Sequence, residues 1–198
     1  MAKANRQKTN DIIFLLLALV LGLLLGWVTV DLTGHPAVYG ILRQIGLWVF
    51  ATGLFSLFAR TGLLAAGSGF GLMLGVKAAG LLHLALAGTA HLGFWVVTDL
   101  IFCLLMGIVG FIAYSAREKR WLGALCGSIP VSLLVAEMYP RYGQITTPLL
   151  VEGVAAVVLF VVLLKGKERR LMALPFLLVI SFLLCYFDVL GRLPGGML

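Results

Sequence analysis

Residues 12–30 read IIFLLLALVLGLLLGWVTV, 19 positions without a charge. A hydrocarbon core about 30 Å thick is crossed by roughly 20 helical residues. The run does not alternate in polarity, whereas a barrel strand shows about ten alternating positions. It exceeds the roughly 7–15 residues of a signal-peptide core, and no A-x-A site follows it. A helix retained in the membrane as a signal anchor is therefore expected here.

Six further apolar runs follow, at 41–59, 63–86, 93–115, 121–138, 147–164 and 171–190. The connections are short, which predicts antiparallel neighbours. The expected fold is an all-α polytopic transmembrane bundle forming one integral membrane domain over 1–198. Six or seven spans are open, because Lys77 in the third run and Pro130 in the fifth leave one of these two as a candidate re-entrant segment. Pro130 frees the carbonyl of Cys126, so a kink is expected there. Pro175 is expected one turn into the last span.

Composition agrees. Of 198 residues, 62% are apolar, 12% are charged, and the mean hydropathy is +1.10. Soluble domains have about 45–50% apolar and about 25% charged residues. A soluble enzyme, a disordered tail and a nucleic-acid module are excluded on this ground; no basic run is long enough to track a phosphate backbone. The net charge of +7 instead reflects orientation. With the N-terminus in the cytoplasm, eleven basic residues fall inside: Lys3, Arg6, Lys8, Arg60, the Arg117/Lys119/Arg120 group and the Lys165/Lys167/Arg169/Arg170 group. Arg43, Arg141 and Arg192 fall outside, and Lys77 lies within a span. That bias is the positive-inside pattern of a bacterial cytoplasmic membrane protein. The inner clusters set topology and touch anionic headgroups.

Cys103, Cys126 and Cys185 lie in apolar runs, without C-x-x-C or zinc spacing, and read as packing residues. Small residues recur four apart: Ala18, Gly22 and Gly26 in the first run, Gly67, Gly71, Gly75 and Ala79 in the third, and Gly123 and Gly127 in the fifth. Such stripes let helices approach closely in lipid. The stripe on the first helix, Ala18, Gly22 and Gly26, is the candidate surface for packing against a partner protein.

Ionisable groups inside spans are costly and tend to face a cavity or one another. They occur at Lys77, His83, Asp99, Glu137, Glu152 and Asp188, all in the outer half under this orientation. From a rise of about 1.5 Å per residue, Asp99 lies about 9 Å deep, Glu152 about 7–8 Å and Lys77 about 14 Å. An isolated lysine at that depth would tend to lose its proton, so Lys77 is expected to pair with Asp99 or Glu152. A water-accessible pocket facing away from the cytoplasm accounts for the one-sidedness. Lys77, Asp99 and Glu152 are the candidate floor, with Glu137, Tyr139 and Trp95 around the mouth. The turn Tyr139-Pro-Arg-Tyr-Gly143 places aromatic residues at the outer interface.

The general plan resembles the substrate-binding S components of energy-coupling-factor transporters, which carry a small-xxx-small stripe on their first helix and an extracytoplasmic pocket. Ala18, Gly22 and Gly26 stand at the matching place, although that family has six spans and usually alanine in the stripe. The resemblance implies a membrane coupling subunit and an ATPase module as partners. Gly46-Leu-Trp48, the Gly-rich third span and Ala136-Glu137 also resemble a group of uncharacterised small bacterial multi-pass proteins. The leading expectation is a small-solute binding or transport subunit, taking a cationic or zwitterionic ligand through hydrogen-bonded ion pairs. The alternative is a non-transporting assembly, immunity or scaffold subunit that binds another membrane protein through its Gly stripes. A membrane-embedded hydrolase, using Ser128 with His83 or His91, or Asp99 with Asp188, ranks third. The chain is expected not to be an enzyme and to need neither cofactor nor metal.

Overall fold

The computed structural model describes residues 2–32, 40–42, 44–86, 93–139 and 146–190. Among these, seven main helices follow one another: α1 (Ala2–Asp31), α2 (Ile45–Ser56), α3 (Gly62–Leu86), α4 (Gly93–Ser115), α5 (Arg120–Met138), α6 (Thr147–Leu163) and α7 (Lys167–Tyr186). No strand occurs among the described residues. The chain is thus an all-α protein with the composition of a multi-pass membrane protein, and five of the helices are long and apolar enough to cross a bilayer.

The two elements in doubt from sequence are full length: α3 has 25 residues and α5 has 19, continuing through Pro130. The short elements are α2, with 12 residues, and α6, with 17. The second apolar run is broken. Residues 40–42 are helical, Gln44 is extended at ψ 135°, and a regular helix resumes only at Ile45. The polar residue Gln44 stands at this interruption. The last helix starts at Lys167 rather than at 171, because Gly166 takes a φ of 101° and lets the chain reverse at once into a new helix. Pro175 therefore sits about two turns inside α7, not one.

Close approaches fix the relative directions. Built at Gly22, a Cβ would meet the Leu72 carbonyl oxygen, and at Gly26 it would lie 2.6 Å from that of Val76. Gly75 in turn faces Leu19, Leu23 and Gly22. Thus α1 and α3 run parallel, backbone against backbone, as small residues allow. Gly69 lies against Met106 and Gly110 against Ala65, so α4 returns antiparallel to α3. Gly46 lies beside Glu152 and Gly53 beside Leu159, which makes α2 and α6 parallel. The buried core comprises residues such as Trp48, Val49, Met73, Val76, Met106, Leu134 and Leu159. The outer faces of α1 and α7 remain apolar and open: Leu24 is 60% exposed and Leu178 68%. Faces of that kind suit lipid rather than water.

These directions sort the charge. The turns after α2, α4 and α6 come together at one end. Arg117 reaches the carbonyls of Leu57 and Ala59, the second at 3.0 Å, and its guanidinium lies over the Tyr114 ring at 4.7 Å. The Tyr114 hydroxyl donates to the Arg60 carbonyl at 2.8 Å. Arg170 donates to the carbonyls of Leu164 and Val161 at 3.0 and 3.2 Å. Helix C-termini leave carbonyls without intrahelical partners, and these two arginines satisfy them at the ends of α2 and α6. The sequence suggests that the basic clusters set topology and touch anionic headgroups; the structure also gives two of their members a structural role.

The α1–α3 contact yields a direct check. Gly22→Leu must push α1 off the Leu72 carbonyl, and a loss of about 1–3 kcal/mol or more is expected, as for overpacked cores. A Cβ at Gly80 would have nothing within 4 Å, so Gly80→Ala should leave stability unchanged or raise it by up to about 1 kcal/mol. Unfolding midpoints in detergent measure the two; equal effects would contradict the packing.

Candidate functional site: a broken helix with two carboxylates

The break before α2 leaves backbone groups without helical partners, and side chains take them. Glu137, at the end of α5, accepts the amide of Ile45 at 2.9 Å through Oε1 and that of Gly46 at 2.5 Å through Oε2. On the other side of the break, Trp48 Nε1 donates to the Leu42 carbonyl at 3.1 Å. The carboxylate also sits at the positive end of the α2 dipole, a favourable place for an anion. Its counterpart is Arg117, beyond the other end of the same helix. In this way α2 carries an acid at its N-terminus and a base at its C-terminus, each satisfying backbone groups that lipid could not.

Glu152, from α6, comes to the same place. It is 2% exposed. Its Oε1 and the Oε2 of Glu137 lie 3.4 and 3.0 Å from the point where a Cβ on Gly46 would stand. A side chain at position 46 would displace one carboxylate or the other, and glycine leaves room for both. Gln44, 1% exposed, is a further buried polar residue at the break.

Lys77 and Asp99 form a second polar group, between α3 and α4. Lys77 Nζ lies 2.9 Å from Asp99 Oδ1, with the side chains 10% and 21% exposed. The ammonium also lies 5.7 Å from the centre of the Phe102 ring, one turn along α4 from Asp99. Of the two expected partners for Lys77, Asp99 is the one in contact. In a low-dielectric setting the pair is worth most when its geometry is close, and removing one member is what costs.

The remaining candidates divide. Tyr139 ends α5 and is 63% exposed. Trp95 lies in the first turn of α4, and its side chain falls outside the described residues. His83 meets Trp27 of α1 edge-on at 6.3 Å between ring centres. Asp188 follows α7 with a φ of 46°. Ser128 is fully buried and donates to the Leu125 carbonyl of its own helix at 2.7 Å. Arg43, His91, Arg141, Tyr142 and Arg192 lie outside the described residues. The stripe of Ala18, Gly22 and Gly26 is buried against α3 within this chain, so the small residues meant for a partner already have one. Sequence reading missed Gln44 and the linking role of Trp48; the signal was a polar pair, Arg43-Gln44, inside an otherwise apolar run.

Comparison with protein families, curated proteins and solved structures gives no match to the chain.

The α3–α4 pair is testable by a double-mutant cycle. Lys77→Met or Asp99→Leu alone should destabilise by up to about 3–5 kcal/mol, the cost of stranding one buried charge; the partial exposure of Asp99 lowers that figure. The double variant should lose less than either single one in thermal unfolding. Additive losses would show that the two side chains do not depend on each other.

Proposed function

We propose that this protein is a small-solute binding or transport subunit of a bacterial cytoplasmic membrane, with its N-terminus in the cytoplasm and its polar site toward the opposite face. The observation that carries this reading is the broken second span with two carboxylates at the break. Interrupted helices at membrane depth are tolerated where they are buried in protein or line a cavity. In transporters such half-helix ends recur at substrate and ion sites. Here the helix terminus already holds the Glu137 carboxylate, and Glu152 adds a second. Two carboxylates brought together in this way suit a cation, either an organic amine or the ammonium of a zwitterion, through charge-assisted hydrogen bonds. Glu152 is the principal ligand-binding residue in this scheme. Glu137 positions α2, and Lys77 with Asp99 ties α3 to α4. Tyr139 stands exposed at the end of α5, at the same end of the bundle.

The basic end supports the orientation, since Lys and Arg accumulate on the cytoplasmic side of short loops. A coupling subunit and an ATPase module, as the resemblance to S components implies, would supply the energy for transport. They would have to use the open outer face of α1, because α3 covers the stripe. The same burial leaves less of the Ala18, Gly22 and Gly26 stripe to the alternative, an assembly, immunity or scaffold subunit.

The test is a thermal-shift screen of the purified protein in mild detergent against primary amines, quaternary ammonium ions and amino acids. A ligand present at about 100 times its Kd adds about 2.7 kcal/mol of stability. At least one compound of the cationic or zwitterionic class should raise the unfolding midpoint, and Glu152→Gln should abolish that rise while still unfolding cooperatively. No response across all three classes, or one that Glu152→Gln leaves intact, contradicts the assignment.

A further inference from the structure

The end of the molecule opposite the carboxylates carries more positive charge than the fold uses. Arg117 and Arg170 are engaged with helix C-termini. Arg60, Lys119, Arg120, Lys165 and Lys167 are exposed, and Arg169 is half-buried. Glu118 and Glu168 are the acids in the same turns. The three turns form one rim. Tyr114 joins the α4 end to Arg60, and a Cβ at Gly127 would lie 2.7 Å from Leu164 Cδ2 and 3.3 Å from Ala116 Cβ, so the ends of α6 and α4 meet there.

What borders these cations identifies the partner. Phe58 is 75% exposed and Leu63 82%, on either side of Arg60 in sequence. Trp121, 57% exposed, follows Arg120 directly, and Leu171, 58% exposed, lies two residues beyond Arg169. In each of the three turns a cation is followed within a few residues by a large open apolar side chain. A free phosphate would use only the cations. An acidic soluble protein would leave the apolar residues beside it in contact with water. A phospholipid with an anionic headgroup matches both parts, its phosphate at the cations and its acyl chains along the apolar faces.

We infer that this rim is a docking surface for anionic phospholipids, selecting them from a mixed bilayer. Near a membrane surface each Lys or Arg contributes about 1 kcal/mol of attraction to anionic lipid, roughly fivefold in partition. Six cations against two acids, a surplus of four, make the selection multivalent. It is independent of the solute reading, since it requires only that the helices lie in a membrane.

The experiment incubates the purified protein in mixed micelles with equimolar phosphatidylglycerol and phosphatidylcholine, then quantifies the lipids that co-purify. Phosphatidylglycerol should be enriched several-fold over phosphatidylcholine. The variant Lys119→Gln/Arg120→Gln/Lys167→Gln/Arg169→Gln should retain the two equally, with an unfolding midpoint in phosphatidylcholine close to that of the wild type. Should that variant fail to fold, the wild type alone decides: rising salt should bring its enrichment toward parity, because exposed charges are screened. Equal retention by the wild type at low salt overturns the inference. So does enrichment unchanged by salt or unchanged in a folded variant. Displacement of the lipid by millimolar inorganic phosphate would show a free-phosphate site instead. Loss of enrichment on adding a polyglutamate peptide, with no loss at matched ionic strength, would show a surface for acidic polypeptides instead.

Discussion

The structure turns on a helix that stops short. At Gln44 the second apolar segment loses its regular ladder, and in lipid every backbone amide and carbonyl so released needs a partner from the protein. Glu137 takes two amides, Trp48 takes one carbonyl, and Arg117 takes two carbonyls past the far end. These contacts bind α2 to the ends of α4 and α5, elements far from it in sequence. They also fix the polarity of the bundle, because an acid suits the N-terminal end of a helix dipole and a base the C-terminal end. Glu152, buried against the same glycine, then finds itself beside Glu137.

From that arrangement the molecule acquires two unlike ends. One holds the carboxylates at the break, with the Lys77–Asp99 pair in the same half. The other holds the arginine-capped helix ends and the exposed lysines and arginines. The segregation follows from the parallel and antiparallel contacts of the helices, and it gives physical content to the proposed orientation. A cation-binding function for the two carboxylates and an anionic-lipid surface for the basic rim are the proposals that follow.

Much of this was legible in the sequence. Run length and the absence of alternation sufficed for an all-α membrane bundle, and depth arithmetic placed Lys77 within reach of Asp99, where the ion pair forms. The polar residues with a role at the break were visible as residue types but not as partners. Sequence suggests a pocket mouth for Glu137, whereas this residue caps a helix 92 positions earlier. Neither periodicity nor local propensity encodes a contact of that separation. The glycine stripe shows the same limit. Spacing reveals that Gly22 and Gly26 want a close neighbour, but it does not say whether the neighbour is α3 or another protein. Span counting meets a different limit. Hydropathy does not register a break when the residues on both sides are apolar, so α2 reads as one long helix, while Lys77 and Pro130 raise doubt about helices that are whole.

Hydrogen exchange on the segment containing Ile45 and Gly46, in lipid nanodiscs, tests the capped break most directly. In the wild type these two amides should be protected, and in Glu137→Ala their exchange should accelerate by an order of magnitude or more, since a lost bond to a charged acceptor is worth about 1.5–3 kcal/mol, while the α3 segment keeps its protection. Equal protection of Ile45 and Gly46 in the two proteins would mean that Glu137 does not hold the start of α2.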